Sequence, residues 1–178
     1  MKRVAVFGNA GGGKSTLSNR LGAITGLPVY ALDQLKYRRG GGEVPDDEYR
    51  AAHDRLLREN RWIIDGFGSM DTLWERLEMA DTLIYIDLPV LLHVWWATKR
   101  FLMGFQVPPT NWPENSPLLR GTINSYLAVW LCHTKLTPRY REYVHTARNR
   151  KSVHHLRSPD QVEAFCRSIE GNLSRQPL

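Results

Sequence analysis

Short apolar runs alternate with amphipathic ones along the chain, the pattern left by strands and helices of a parallel α/β sheet. Five runs predict strands: "RVAVFG" (3–8), "PVYALD" (28–33), "RWIIDG" (61–66), "DTLIYIDLP" (81–89) and "SVHHLR" (152–157). They are continuous in hydrophobicity rather than alternating, so helices are expected on both faces of the sheet. Helices are predicted over 14–23, 46–59 and 71–79. In the second of these, Tyr49, Ala52, Leu56 and Leu57 recur at helical spacing while Arg50, Asp54, Arg55, Arg58 and Glu59 fall elsewhere. The second half reads as more helical, with bulky apolar segments over 91–103 and 118–136 and a short basic one over 138–148. A last helix is punctuated by Ser158 as N-cap, Pro159 at its first position and Gly171 as its C-terminal stop.

Between Gly104 and Pro117 the stretch "GFQVPPTNWPENSP" carries four prolines and no periodicity. A loop of that length between two helices is usually functional, which makes residues of about 100–120 a candidate lid. "RRGGGEVP" (38–45) is a second flexible link; no strand leads into its glycines, so they do not read as a phosphate motif.

Length and composition narrow the picture. A chain of 178 residues, 42% hydrophobic and 24% charged, suits one soluble domain with a single core. The most apolar stretch, "LPVLLHVWWATKRFLMGF", is interrupted by His93, Lys99 and Arg100, which argues against a membrane span. No signal peptide is read at the start, and Cys132 and Cys166 stand far apart without metal spacing; free thiols in a reducing cytoplasm are expected. The net charge of +6 belongs to the second half. Residues 1–89 hold 12 Lys and Arg against 13 Asp and Glu, whereas residues 90–178 hold 12 against 5. Nucleic acid, an acidic membrane surface and a polyphosphate ligand all fit such an excess, and the last is favoured because a nucleoside triphosphate and its acceptor themselves demand several cations.

The chemistry is concentrated in "GNAGGGKST": Gly8, Asn9, Ala10, Gly11, Gly12, Gly13, Lys14, Ser15 and Thr16. These residues fit the P-loop spacing G-x-x-x-x-G-K-[ST], with the required strand before and helix after. Glycines let backbone N–H groups curl around a phosphate, and the following helix adds the positive end of its dipole. Lys14 is expected on the β- and γ-phosphates of ATP, and the Ser15 hydroxyl on Mg²⁺. Asp33, Asp65 and Asp87 end predicted strands on the same carboxyl edge, where open α/β sheets bind ligands. Asp65 reads as the Mg²⁺ carboxylate and Asp33 as the group that orients or deprotonates an acceptor, while Asp87 is read mainly as a strand-end turn residue. Neither Asp65 nor Asp87 is followed by a glutamate that would activate water. That argues for transfer to a small-molecule acceptor over a motor ATPase; a slow hydrolase and an ATP-binding, nucleic-acid-associated regulator remain as alternatives.

"GNAGGGKSTLSNRLGAITGLPVYALDQL", "WIIDGFG" and "DTLIYIDLP" resemble the adenylate-kinase-like P-loop kinases, and among them most of all the bacterial topology modulation, or FlaR-related, proteins. The resemblance implies a three-layer P-loop NTPase fold with a five-stranded parallel sheet in the order 2-3-1-4-5. It implies ATP and Mg²⁺ as cofactors, an acceptor site over the third strand and a closing lid. The family's "LDGFPRT" corresponds to Ile64-Asp65-Gly66-Phe67-Gly68-Ser69; the proline and the acceptor-binding arginine are missing. Of the two arginines expected after "DLP", only Arg100 carries over, the other position being Trp96. Arg139 and Arg141 are further candidates for clamping the transferred phosphate, Arg38 and Arg39 for reading the acceptor, and Ser158 lies in the loop where the adenine packs.

Overall fold

The structure is a computed structural model that describes residues 1–38, 42–104 and 118–173. Five strands form one sheet: β1 (Arg3–Gly8), β2 (Val29–Ala31), β3 (Trp62–Asp65), β4 (Thr82–Ile86) and β5 (Ser152–Leu156). Their order is β2-β3-β1-β4-β5, and every pair is parallel. Val4 of the central strand β1 stands between Ile63 and Thr82 in register. Strand β1 alternates its side chains between two cores, so continuous hydrophobicity is what the sheet requires. Ala5 and Phe7 join one buried cluster with Trp62, Ile64, Tyr85 and Tyr140, whereas Val4 and Val6 join another with Leu17, Leu21, Ile63 and Phe165.

The helices are α1 (Lys14–Thr25), α2 (Leu32–Lys36), α3 (Asp46–Leu57), α4 (Met70–Met79), α5 (Val90–Gly104), α6 (Leu118–Leu131), α7 (Thr137–Ala147) and α8 (Pro159–Leu173). A π-helical turn over Cys132–Leu136 joins α6 to α7, so the apolar segment read as one helix over 118–136 changes pitch at Cys132. On the first face an aromatic cluster seals the core. Phe7 stacks on Tyr85 at 5.1 Å between ring centroids, and Tyr140 meets Phe7 edge-on at 5.1 Å. On the other face α8 packs on α1, and Arg20 of α1 forks between Glu163 and Glu170 at 2.6 and 3.1 Å.

Two expectations are corrected. The second strand ends at Ala31, and Asp33 sits in the first turn of the short helix α2 rather than at a strand end. Gly171 does not stop the last helix, which continues through it to Leu173. Glycine inside a helix costs about 1 kcal/mol, and here the burial of Phe165 and Cys166 and the Arg20 pairs outweigh it. The candidate lid is described only at its flanks; residues 105–117, and Arg39, lie outside the described residues. Cys132 and Cys166 are free and buried. Among the described residues no helix is long and apolar enough to cross a membrane.

Candidate nucleotide site

Strand β1 delivers Gly8 to the carboxyl edge of the sheet, and the loop from Asn9 to Gly13 turns the chain into α1. Gly8 has φ +141°, and a Cβ there would lie 2.2 Å from the carbonyl oxygen of Ile86 at the end of β4. No side chain fits that approach. Gly13 enters α1 with φ +76°, in the left-handed region that favours glycine, and leaves the first amides of the helix pointing at the loop. A Cβ on Gly12 would come 2.9 Å from the His93 ring, so the floor of the loop is built against α5.

Three side chains hold the loop. Asn9 is buried; its carboxamide oxygen accepts from the Ala10 N–H at 2.7 Å, and its Nδ2 donates to the Val129 carbonyl of α6 at 3.0 Å. Lys14 Nζ donates to the Asn9 carbonyl at 2.8 Å, which places the ammonium across the loop. His93, 1% exposed, lies 2.9 Å through Nδ1 from the Ala10 carbonyl, so Nδ1–H is the donor there. Burial and then the Lys14 charge push the His93 pKa down, which leaves the imidazole neutral at neutral pH.

Asp65 ends β3 beside α1 and is 2% exposed. Burial pushes its carboxyl above the usual carboxylate range and the charge of Asp33 adds to this, while the Ser15 hydroxyl and Lys14 pull it part of the way back. A hydroxyl, a buried carboxylate and an ammonium thus converge at the start of α1. The donor set of Ser15 and Asp65 is hard oxygen, which fits Mg²⁺. Asp33 is exposed on α2 and packs over the turn after β3: its Oδ1 lies 3.3 Å from the point where a Cβ on Gly66 would stand. That turn needs glycine twice, with φ +97° at Gly66 and +69° at Gly68. Ser69 then caps α4 by accepting from the Thr72 N–H.

Two solved structures to which the chain is similar are described as kinases. The shikimate kinase of Acinetobacter baumannii, in complex with shikimate, is 18% identical over 100% of this chain and 96% of its own, with a TM-score of 0.55. An unliganded sugar kinase of Janibacter sp. HTCC2649 is 15% identical over 97% of this chain and 92% of its own, with a TM-score of 0.48. No protein-family model matches the chain, and no curated protein matches it.

The Arg139 guanidinium is stacked over the Trp74 ring, 4.9 Å from its centroid. Ser158 caps α8, its Oγ accepting from the Gln161 N–H at 3.2 Å. Arg38 pairs with Glu48 at 2.9 Å. Arg100 lies within α5, and its side chain is outside the described residues. His154 packs against Phe165 at 4.5 Å between ring centroids.

Asp87 and Arg141 hold each other. Arg141 donates through Nε and Nη2 to the two oxygens of Asp87 at 2.8 and 3.0 Å, and His155 Nε2 lies 2.8 Å from Oδ2. Asp87 therefore fills the structural role read for it, tying β4 to β5 and α7. Burial alone would raise its carboxyl; Arg141 and His155 outweigh that and hold it below its ordinary 3.8. A depressed carboxyl contributes stability that is complete above 3.8 and is lost as pH falls through the folded value. Accordingly Asp87→Asn is expected to lower stability at pH 7 by about 1 kcal/mol and to flatten the acid limb. Thermal midpoints of parent and variant from about pH 6 to about pH 2 check this, and parallel curves would rule it out.

Two contributors carry no signal in the sequence pattern. His93 reads there only as a break in an apolar run. The other is Arg76 of α4, which is fully buried and donates through Nη2 to the Gly66 carbonyl at 2.9 Å, while Nε and Nη1 have no hydrogen-bond partner among the described residues. Burial pushes its pKa down. Arginine within an amphipathic helix ordinarily reads as a solvated face, so only the fold exposes its role as the anchor of the turn after β3.

Proposed function

We propose that the chain is an ATP- and Mg²⁺-dependent phosphotransferase of the nucleoside-monophosphate-kinase type, moving the γ-phosphate of ATP to a small acceptor. The observation that carries this reading is the glycine loop at the end of β1, with Lys14, Ser15 and Asp65 converging where it enters α1. Loop amides and the α1 N-terminus suit the β- and γ-phosphates, and Lys14 is placed to exchange the Asn9 carbonyl for a phosphate oxygen. Bound Mg²⁺, held by Ser15 and Asp65, would neutralise charge on the β- and γ-phosphates. Asp33, over the Gly66 turn, is suited to orient an acceptor hydroxyl and take its proton. Arg100 and Arg139 are the proposed cations that close over the transferring group, and the segment of about 100–120 is the proposed lid that excludes water.

The likeness in fold to a kinase described with shikimate supports a small-molecule acceptor, which here is a nucleotide or another small alcohol. The test is ADP formation from MgATP in the presence of nucleoside monophosphates, nucleosides and small polyols, each supplied singly. One acceptor class is expected to raise the rate by at least about two orders of magnitude over ATP alone. Equal phosphate release with and without every acceptor would replace the kinase reading with that of a hydrolase.

A further inference from the structure

Away from the nucleotide edge, α3 and α4 bring three metal-binding side chains together. One ligand atom from each of His53, Asp54 and Glu75 lies within 4.8 Å of the other two. His53 is 0% exposed, and among the described residues neither of its ring nitrogens has a hydrogen-bond partner. A buried polar group left unpartnered is costly and rare in folded proteins, so an imidazole with two such nitrogens calls for a ligand. Its Nδ1 stands 3.7 Å from Asp54 Oδ1, too far for a hydrogen bond, and that oxygen has no hydrogen-bond partner among the described residues either. Beside the carboxylates is a cleft of about 210 Å³ lined by Asp54, Leu57, Arg58, Glu75 and Met79, which gives the cluster a route to solvent.

Arg50 sits between the carboxylates. Its Nη2 lies 2.9 Å from Glu75 Oε2, and its Nε lies 3.3 Å from Asp54 Oδ1 without the alignment of a hydrogen bond. One guanidinium offsets half the charge of the two carboxylates and leaves the imidazole unanswered. An ion that takes nitrogen as well as oxygen answers both. Hard ions such as Mg²⁺ and Ca²⁺ choose oxygen alone, whereas zinc and nickel take imidazole with carboxylate.

We propose that His53, Asp54 and Glu75 form a binding site for a zinc-type divalent cation, with Arg50 as the resident side chain that the ion displaces. Donors bound at about 2.0–2.2 Å to one tetrahedral centre lie roughly 3.5 Å apart, so the three groups close by small side-chain rotations. Either occupant clasps α3 to α4. Next to the clasp, the Tyr49 hydroxyl meets Thr72 Oγ1 at 3.1 Å, and a Cβ on Gly68 would lie 2.0 Å from that hydroxyl. The ion would therefore stiffen the wall behind the turn after β3.

Calorimetric titration of the full chain with ZnCl₂, in constant excess Mg²⁺, tests the site, with thermal denaturation as a second readout. One zinc per chain and a melting temperature that climbs with zinc concentration are expected. Glu75→Gln, a change at an exposed residue that leaves the fold intact, is expected to weaken binding at least about tenfold, and His53→Gln to abolish it. Arg50→Met, which removes the competing cation, is expected to bind zinc more tightly than the parent. The proposal is overturned if parent and Arg50→Met both fail to bind zinc, or if Glu75→Gln and His53→Gln bind it as the parent does.

Discussion

Lys14→Ala is expected to keep its fold and to lose phosphoryl transfer by about two to three orders of magnitude. Among the described residues the ammonium makes one hydrogen bond, to the Asn9 carbonyl at 2.8 Å, so its removal changes stability by about 1 kcal/mol or less. Its electrostatic work falls on the phosphate oxygens, where charge shifts most as the γ-phosphoryl leaves, and an interaction that strengthens in the transition state lowers kcat more than nucleotide affinity. Single-turnover transfer set against calorimetric MgATP binding separates the two effects. A variant that binds and transfers as the parent does would remove the site from consideration.

Asp65→Asn is expected to trade activity for stability. Burial raises the carboxyl above its ordinary value of 3.8, so folding favours the neutral acid. The stability this group contributes is complete below 3.8 and is lost as pH rises through the folded value, so ionising the buried carboxyl is a net cost. Asparagine cannot ionise. The variant should therefore melt higher than the parent at pH 7 by about 2–4 °C, taking a gain of about 1 kcal/mol, and the gap should close as the pH is lowered toward 4. Magnesium with nucleotide should raise the parent's midpoint and leave the variant's almost unmoved, and Mg²⁺-dependent turnover should fall by at least about two orders of magnitude. A variant less stable than the parent at pH 7, or equally responsive to magnesium, would contradict this account of Asp65.

What could be read from the sequence is what local chemistry determines. The P-loop shows itself because its glycines, Lys14 and Ser15 are adjacent along the chain, and a strand and helix must flank them. The strands show themselves because a sheet covered on both faces needs unbroken apolar runs. Asp33 was misplaced because Leu32 and Asp33 suit a strand end and a first helical turn equally well, and the five-residue helix α2 is decided by Leu32 burying itself in the core. Gly171 was misread because local propensity yields to the packing of α8 on α1. The anchoring roles of Asn9 and His93 could not be read, since their partners lie far off in sequence; Asn9 bonds to Val129, 120 residues away, and His93 faces Ala10, 83 residues back. The partner of Arg141, a candidate phosphate clamp, was likewise out of reach: Asp87 lies 54 residues back.

The Asn9 to Val129 hydrogen bond makes the phosphate loop and α6 parts of one equilibrium. The amide is buried, so moving either end without the other leaves a donor or a carbonyl unsatisfied at a cost of about 1–3 kcal/mol. Linkage then runs in both directions with equal strength: whatever binding at the loop does to the free energy of α6, a partner that grips α6 does to the affinity of the loop.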